Sequence, residues 1–450
     1  MYFLYSLLLT FGLLVASPLL VFDAIRKRKY ITGLAQRLGA IPTINTDKRP
    51  VIWLHCVSVG EATAAQTVVK ALVETFPGYR LVISTTTITG QAVARRLFAD
   101  QAAAIFYFPI DWAWTVRRVL RAIRPSALLI METELWPRLF RECHARKIPV
   151  FLLNGRISNR SFRRYQIARG LFRRVLNDLS AAFMQSRQDA ERVRELGMDE
   201  TRIRIVGNLK FDTAETRVDI SLTDLLRQRF GFDGSQPLIV AASTHEPEER
   251  AVIEAFKLVR GSLNARLMIA PRHPERFARV ASQLEQVPFS WVRRSNPASP
   301  SDSAADIILL DSVGELSAAY PFADIAFVGG SIAPHGGHNV LEPAALGICV
   351  VTGPHMSNFS AIIEALLDES AMIQIPEVPD SETATFLGSV FIDLLTNETS
   401  RQEIGKRAQA VCRSNTGATK RIIDAIAPVL NQSSTPSQVS VRSVPASAFK

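Results

Sequence analysis

Glu61 closes the run Val57-Ser58-Val59-Gly60-Glu61, just beyond the apolar segment Val51-Ile52-Trp53-Leu54. A carboxylate placed after a glycine, where a strand turns into a helix, can take a proton from a hydroxyl. The same carboxylate could do no more than favour a helix dipole. A second acidic group follows Ala127-Leu128-Leu129-Ile130, in Met131-Glu132-Thr133-Glu134-Leu135-Trp136-Pro137. Glu132 and Glu134 suit a polyhydroxylated or cationic ligand, or are ordinary first-turn acids. Lys210, in Gly207-Asn208-Leu209-Lys210-Phe211-Asp212, could meet a phosphate or a carboxylate. Seven arginines and no acid lie between Arg156 and Arg174. A charge run is usually a solvated face, but an unopposed one of this density tilts towards an anionic partner.

The second half carries its own set. Ser243-Thr244-His245-Glu246 and Pro271-Arg272-His273-Pro274-Glu275-Arg276 each follow an apolar run, as do Gly329-Gly330-Ser331 and His335-Gly336-Gly337-His338-Asn339-Val340-Leu341-Glu342-Pro343. The glycines permit close backbone approach, and a helix starting near Asn339 would offer N–H groups to a phosphate. The chain contains no GxxxxGK[ST], no GxSxG and no HExxH, which argues against a P-loop nucleotidase, an α/β-hydrolase and a zincin.

These residues need elements to position them. Short apolar runs alternate with segments of helical length, at 51–54, 81–84, 127–130, 150–153, 182–184 and 204–206. After a turn-rich break between about 211 and 237 the pattern restarts, at 238–241, 267–269, 307–310, 325–328 and 349–351. This is the signature of two βαβ series with parallel sheets. Ligands of such sheets bind beyond the carboxyl ends of the strands, where the unusual residues lie. We expect a membrane helix over 1–22, one domain over 30–215, a second over 216–430 and a disordered tail over 431–450.

Composition limits the partners. Lys plus Arg number 52 against 42 Asp plus Glu, a formal +10, so the partner is acidic: nucleic acid, an anionic membrane or a phosphorylated substrate. Four dispersed cysteines exclude a disulfide scaffold or a cysteine metal cluster and fit a reducing compartment. Met1 to Phe22 contains no charge and precedes Arg26-Lys27-Arg28-Lys29, so the globular part is expected on the cytoplasmic face of a membrane. Whether that segment spans or lies in the interface stays open, since Ser6, Ser17 and Pro18 interrupt it.

Taken in order, VSVGEA, METELWP, NGRIS, GNLKFD, STHEPEE, PRHPER, DSVGEL, FVGGS and GGHNVLEPA resemble the 3-deoxy-D-manno-octulosonic acid (Kdo) transferases of lipopolysaccharide synthesis. The resemblance runs to about residue 425. It implies an α/β fold of the GT-B glycosyltransferase type, two Rossmann-like domains facing a crevice. It also implies inverting transfer of Kdo from CMP-Kdo to lipid IVA at the inner membrane, with no metal and no cofactor. By motif, Glu61 corresponds to the proton acceptor, and Glu132 and Lys210 to transition-state stabilisers. Pro271, Arg272, Val313, Gly314, Glu315, Asn339, Val340, Leu341 and Glu342 correspond to the CMP-binding segments. Arg156, Arg163, Arg164 and Arg173 are expected to meet the acceptor or the membrane.

Two other readings compete. A nucleotide-sugar epimerase or hexosyltransferase of the same fold would share the glycine turns, but leaves METELWP and the arginine run without a role. A membrane-tethered sensor of a nucleotide or anionic lipid has no use for a base at Glu61. Nucleic acid ranks last, because aromatic residues do not interleave with the arginines as a stacking surface requires.

Overall fold

The computed structural model describes residues 2–27, 32–42, 44, 49–213 and 218–433, with side chains throughout except at 3, 16–27 and 433. The basic side chains Arg26 to Lys29 and the tail from 434 lie outside the described residues.

The chain forms two compact units. The first holds β1 (Val51–His55), β2 (Arg80–Thr85), β3 (Ala102–Tyr107), β4 (Ala127–Met131), β5 (Val150–Gly155), β6 (Ala181–Met184) and β7 (Ile203–Ile205). They form one sheet in the order β3-β2-β1-β4-β5-β6-β7, every pair parallel. Strand residues alternate between its faces. Ile52 and Leu54 enter one core with Ile83, Leu129 and Phe183, while Val51 and Trp53 enter the other with Val82, Leu128 and Leu152. Burial on both faces is why these strands read as continuous apolar runs.

The second unit repeats the plan with β8 (Leu238–Thr244), β9 (Arg266–Pro271), β10 (Trp291–Arg293), β11 (Ile307–Leu309), β12 (Ile325–Val328), β13 (Cys349–Thr352) and β14 (Ile373–Gln374). Its order is β10-β11-β9-β8-β12-β13-β14, again parallel throughout. The reversal of strand order beside β8 and β12 creates a switch point, where loops diverge and leave room for a ligand.

Three strands did not stand out in the sequence: β3, β10 and β14. All three are sheet edges. An edge strand is flanked on one side only, and β3 (Ala102–Tyr107) accordingly leaves Ala102 to Ile105 at least partly exposed and buries only Phe106 and Tyr107. Two boundaries also differ. The closing helix Ala418–Ser433 belongs to the first unit, which comprises 1–213 and 416–450. Ile422, Ile423, Ile426 and Leu430 enter the core around β1 and β4. Asp212 accepts the N–H groups of Gly417 (2.7 Å) and Thr419 (2.6 Å) at the crossing.

The N-terminal segment is a helix, Tyr2–Lys27. Its first turns lie along the first unit: Tyr2 donates to Asp178, and Trp112 Nε1 donates to Thr10 Oγ1 at 3.1 Å. Leu4, Leu7, Leu8, Phe11, Leu14 and Val15 are exposed, spaced three and four apart on the other face. Among the described residues no helix is long and apolar enough to cross a membrane. The membrane helix expected over 1–22 therefore gives no span among the described residues.

Candidate functional site

In the first unit, Glu61 sits in the first turn of the helix Val59–Ala64, directly beyond β1. Its side chain is 6% exposed. Val57 N–H donates to one carboxylate oxygen at 2.7 Å and Ser58 Oγ to the other at 3.1 Å. Burial first, and the charges of Glu132 and Glu134 with it, push its pKa up to about 8 against the two hydrogen bonds. A carboxylate that titrates within reach of neutrality is poised to accept a proton.

Glu132 follows β4 in the left-handed region (φ 53), with its N–H donating to Leu153 O at 2.8 Å. A non-glycine residue rarely adopts that conformation, and such strain gathers at functional sites. Here it turns Glu132 out of the sheet among Cys56, Glu61, Glu134 and Lys210, each of which feels its charge. Glu134 is raised by burial and then by Glu132. Lys210, in the helix Leu209–Thr213, is lowered by burial, with Glu132 acting against the shift and Arg156 adding to it. Three expected residues, Glu61, Glu132 and Lys210, thus converge at the carboxyl end of one sheet.

Asn154 explains how Lys210 arrives there. At the end of β5, also left-handed (φ 54), its Oδ1 accepts Leu209 N–H at 3.0 Å and fixes the start of the lysine's helix. Asn154 carries no motif of its own that assigns it this role, although its place after an apolar run is a usable sign.

The arginines divide. Arg156 is half-buried, its N–H donating to Thr133 Oγ1 at 2.9 Å, and its charge reaches Lys210. Arg163 and Arg164 on the helix Asn159–Ile167, and Arg173 on the helix Arg169–Asn177, are exposed. Arg156 therefore belongs with the carboxylates and the other three with the surface.

In the second unit, Arg272 follows Pro271 at the end of β9, exposed, with no hydrogen bond or ion pair to its guanidinium among the described residues. Its charge reaches Glu342, His245 and His338. Asn339 Nδ2 donates to Glu342 Oε1 at 2.9 Å, and its Oδ1 accepts Leu341 N–H at 3.1 Å. Burial raises Glu342, opposed by Asn339 and then Arg272. Val340 and Leu341 are wholly buried, backbone included. The helix expected from Asn339 starts at Leu341 and runs only to Ala345. Val313 is 80% exposed at the tip of a turn where Gly314 takes φ 91. Glu315 is engaged by Arg294 at 2.8 and 3.1 Å and by Ser312 Oγ at 2.9 Å, so it braces that turn.

Glu248 and four histidines were missed as a group. Glu248, fully buried, accepts N–H groups from His245 (2.9 Å), Gly330 (2.7 Å), Ser331 (2.8 Å) and Ile332 (2.8 Å). It ties the loop after β8 to the turn after β12. His245 Nε2 and His338 Nε2 lie 2.8 Å apart, with the rings of His335 and His273 centred 4.5 and 5.1 Å from that of His245. Each histidine follows a strand in the sequence, but only the strand order brings them together. Among the described residues no group of three or more His, Cys, Asp or Glu is arranged to hold a metal ion.

Comparison with known proteins adds the following. A family model described as 3-Deoxy-D-manno-octulosonic-acid transferase (kdotransferase) matches residues 32–213. A 3-deoxy-D-manno-octulosonic acid transferase of Haemophilus influenzae is 32% identical over 425 residues, 93% of this chain and 97% of that protein. One from Bordetella pertussis is 33% identical over 83% of this chain and 86% of its own. Among solved structures, a UDP-GlcNAc 2-epimerase from Neisseria meningitidis superposes with a TM-score of 0.57 at 12% identity, over 85% of this chain and 100% of that one. MurG from Acinetobacter baumannii superposes with a TM-score of 0.55 at 13% identity, over 84% and 99%. These two show the fold, a pair of Rossmann-like sheets of the GT-B kind.

Proposed function

The chain belongs to the family of Kdo transferases, which makes it a glycosyltransferase, and on that footing we propose that it moves Kdo from CMP-Kdo to a sugar hydroxyl of lipid IVA, with inversion and without a bound metal. The observation that carries the reading is Glu61: a buried carboxylate at the end of β1, held by Val57 and Ser58, with a pKa of about 8. The acceptor hydroxyl gives its proton to Glu61 as its oxygen attacks the anomeric carbon of Kdo. The bond from that carbon to the phosphate oxygen breaks, and its electron pair leaves with CMP. Lys210, kept close to Glu132, and Arg272 supply positive charge where negative charge develops, the role a metal would otherwise fill. Glu342, oriented by Asn339, accepts hydrogen bonds from the ribose hydroxyls, and the Val313–Gly314 tip contributes backbone and an apolar face to the nucleotide.

Lipid IVA carries phosphates and stays in its leaflet, so the enzyme works at the cytoplasmic face of the inner membrane. The apolar stripe from Leu4 to Val15 supports attachment by a helix lying in the interface. Arg163, Arg164 and Arg173 would meet phosphates of acceptor or headgroups, while Arg156 acts beside Lys210. Mass spectrometry of lipid IVA after incubation with the protein and CMP-Kdo tests the reading. A mass increase of one or more Kdo units is expected, and unmodified lipid IVA with intact CMP-Kdo would overturn it.

A further inference from the structure

The second unit brings four histidines together, and among the described residues no acid pairs with the side chains of the inner two, His245 and His338. His245 leaves β8, His273 leaves β9, and His335 and His338 follow β12; these three strands are neighbours in the sheet. The planes of His245 and His338 lie 7° apart and their Nε2 atoms 2.8 Å apart. At that separation one nitrogen donates its proton and the other accepts it, so the neutral pair shares a single N–H···N bond.

The nearby acids are committed elsewhere. Glu248 is saturated by four backbone N–H groups. Glu249 is held by Arg276 at 2.9 and 3.1 Å, and Glu246 by Arg276 at 3.2 Å and Arg279 at 2.6 Å. Glu342 is bound by Asn339, and Glu275 lies 3.9 Å from the outer ring of His273. What faces the pair is therefore His273, His335 and the cation Arg272, while Arg276, engaged by Glu249 and Glu246, reaches His245 alone. Burial, then these neighbours, holds both His245 and His338 down at about 4. Among the described residues the charge that reaches the pair is positive, and no acid answers it.

The placement is also rigid. Glu248 fixes His245 through its N–H and fixes the Gly330–Ile332 turn through three more. His338 N–H donates in turn to Gly329 O at 3.2 Å, and Gly337 N–H to Gly330 O at 2.7 Å. A β-carbon on Gly329 would meet the Glu248 carboxylate at 2.6 Å, so this turn accepts only glycine. Four charge-assisted hydrogen bonds to one buried carboxylate hold the two loops in register. Glu248 acts through the histidines as a positioning residue.

We propose that the His245–His338 pair, beside Arg272, receives the donor's phosphate, takes up one proton from solvent as the donor binds, and returns that proton to the departing CMP. The proposal rests on the donor reading given above. An anion among these groups offsets the repulsion that keeps the pair neutral, so its proton affinity rises. When the anomeric C–O bond breaks, its electrons go to the phosphate oxygen and the imidazolium proton follows. The pair returns to its neutral shared bond, and the acceptor's proton leaves separately by Glu61. The solvent proton taken up with the donor departs on CMP, so the cycle balances.

The test is calorimetry of CMP binding to the full chain at pH 7.5, in buffers of different ionisation enthalpy, which counts protons taken up. At that pH CMP is already largely the dianion, since a phosphate monoester's second pKa is about 6, so protons gained belong to the complex. The wild type is expected to gain a substantial fraction of one proton per CMP. His338→Gln and His245→Gln should lose that uptake, weaken CMP by about 10-fold or more, and lower kcat by about 10²-fold or more. Far-ultraviolet circular dichroism checks that both variants fold, and the wild-type proton count stands even if they do not. No proton uptake by the wild type, or full uptake in a folded variant, overturns the proposal. Failure of the donor reading would look different: CMP would not bind, and no Kdo would reach lipid IVA.

Discussion

Replacing Glu61 with Gln removes the base while keeping the side chain's size, and the structure sets what the wild type must do first. With a pKa of about 8, about a tenth of Glu61 is ionised at pH 7, about half at pH 8 and about nine-tenths at pH 9. Because kcat/KM reports the free enzyme, it should climb about fivefold from pH 7 to pH 8 and less than twofold from pH 8 to pH 9. The direction follows from burial and from the like charges of Glu132 and Glu134, all of which favour the protonated form. Glu132→Gln removes one of those charges, so the midpoint should move to lower pH. Glu61→Gln should lose about 10²–10⁴-fold in rate and abolish the rising limb, while CMP binding is unchanged. The assay is initial CMP release at limiting lipid IVA between pH 6 and pH 9. A rising limb centred near the ordinary carboxylate value, or one that persists in Glu61→Gln, would refute the reasoning.

Arg272→Ala should weaken CMP binding by about 1.5–3 kcal/mol, the worth of a charge-assisted contact, measured by calorimetry. Changing Arg163, Arg164 and Arg173 together to Glu should raise the acceptor KM in steady-state assays and leave CMP affinity alone, at about 1 kcal/mol for each contact to an anionic surface. Ile426→Ala opens a cavity in the first unit's core, where the residue is fully buried, and should cost about 2–5 kcal/mol in denaturant unfolding. Transfer should persist in EDTA, assayed by CMP release, because Lys210 and Arg272 supply the positive charge.

How far the residues alone could be read depends on whether their signal is local. Continuous apolar runs such as Val51-Ile52-Trp53-Leu54 declare a strand buried on both faces, and eleven runs of that kind were enough for two parallel α/β units. The carboxyl ends of those runs pointed to Glu61, Glu132, Lys210, Arg272 and Glu342, since a parallel sheet places its loops there whatever its strand order. Only the tertiary structure could decide the rest. Edge strands β3, β10 and β14 lack two-sided burial and so carry a weak pattern. The helix Ala418–Ser433 carries an apolar face that names no partner, and the core around β1 and β4 is what claims it. The N-terminal segment has the composition of a span, yet Tyr2 and Thr10 find partners on the domain, which composition cannot express. Glu61 owes its raised pKa first to burial and then to Glu132 and Glu134, more than seventy positions away in sequence. His245 and His338 stand 93 residues apart, and they share a proton because β8 and β12 are neighbours and Glu248 locks their loops. Strand identity is a property of short segments that burial imposes one at a time, whereas coupling between charges requires the order in which the sheet assembles them.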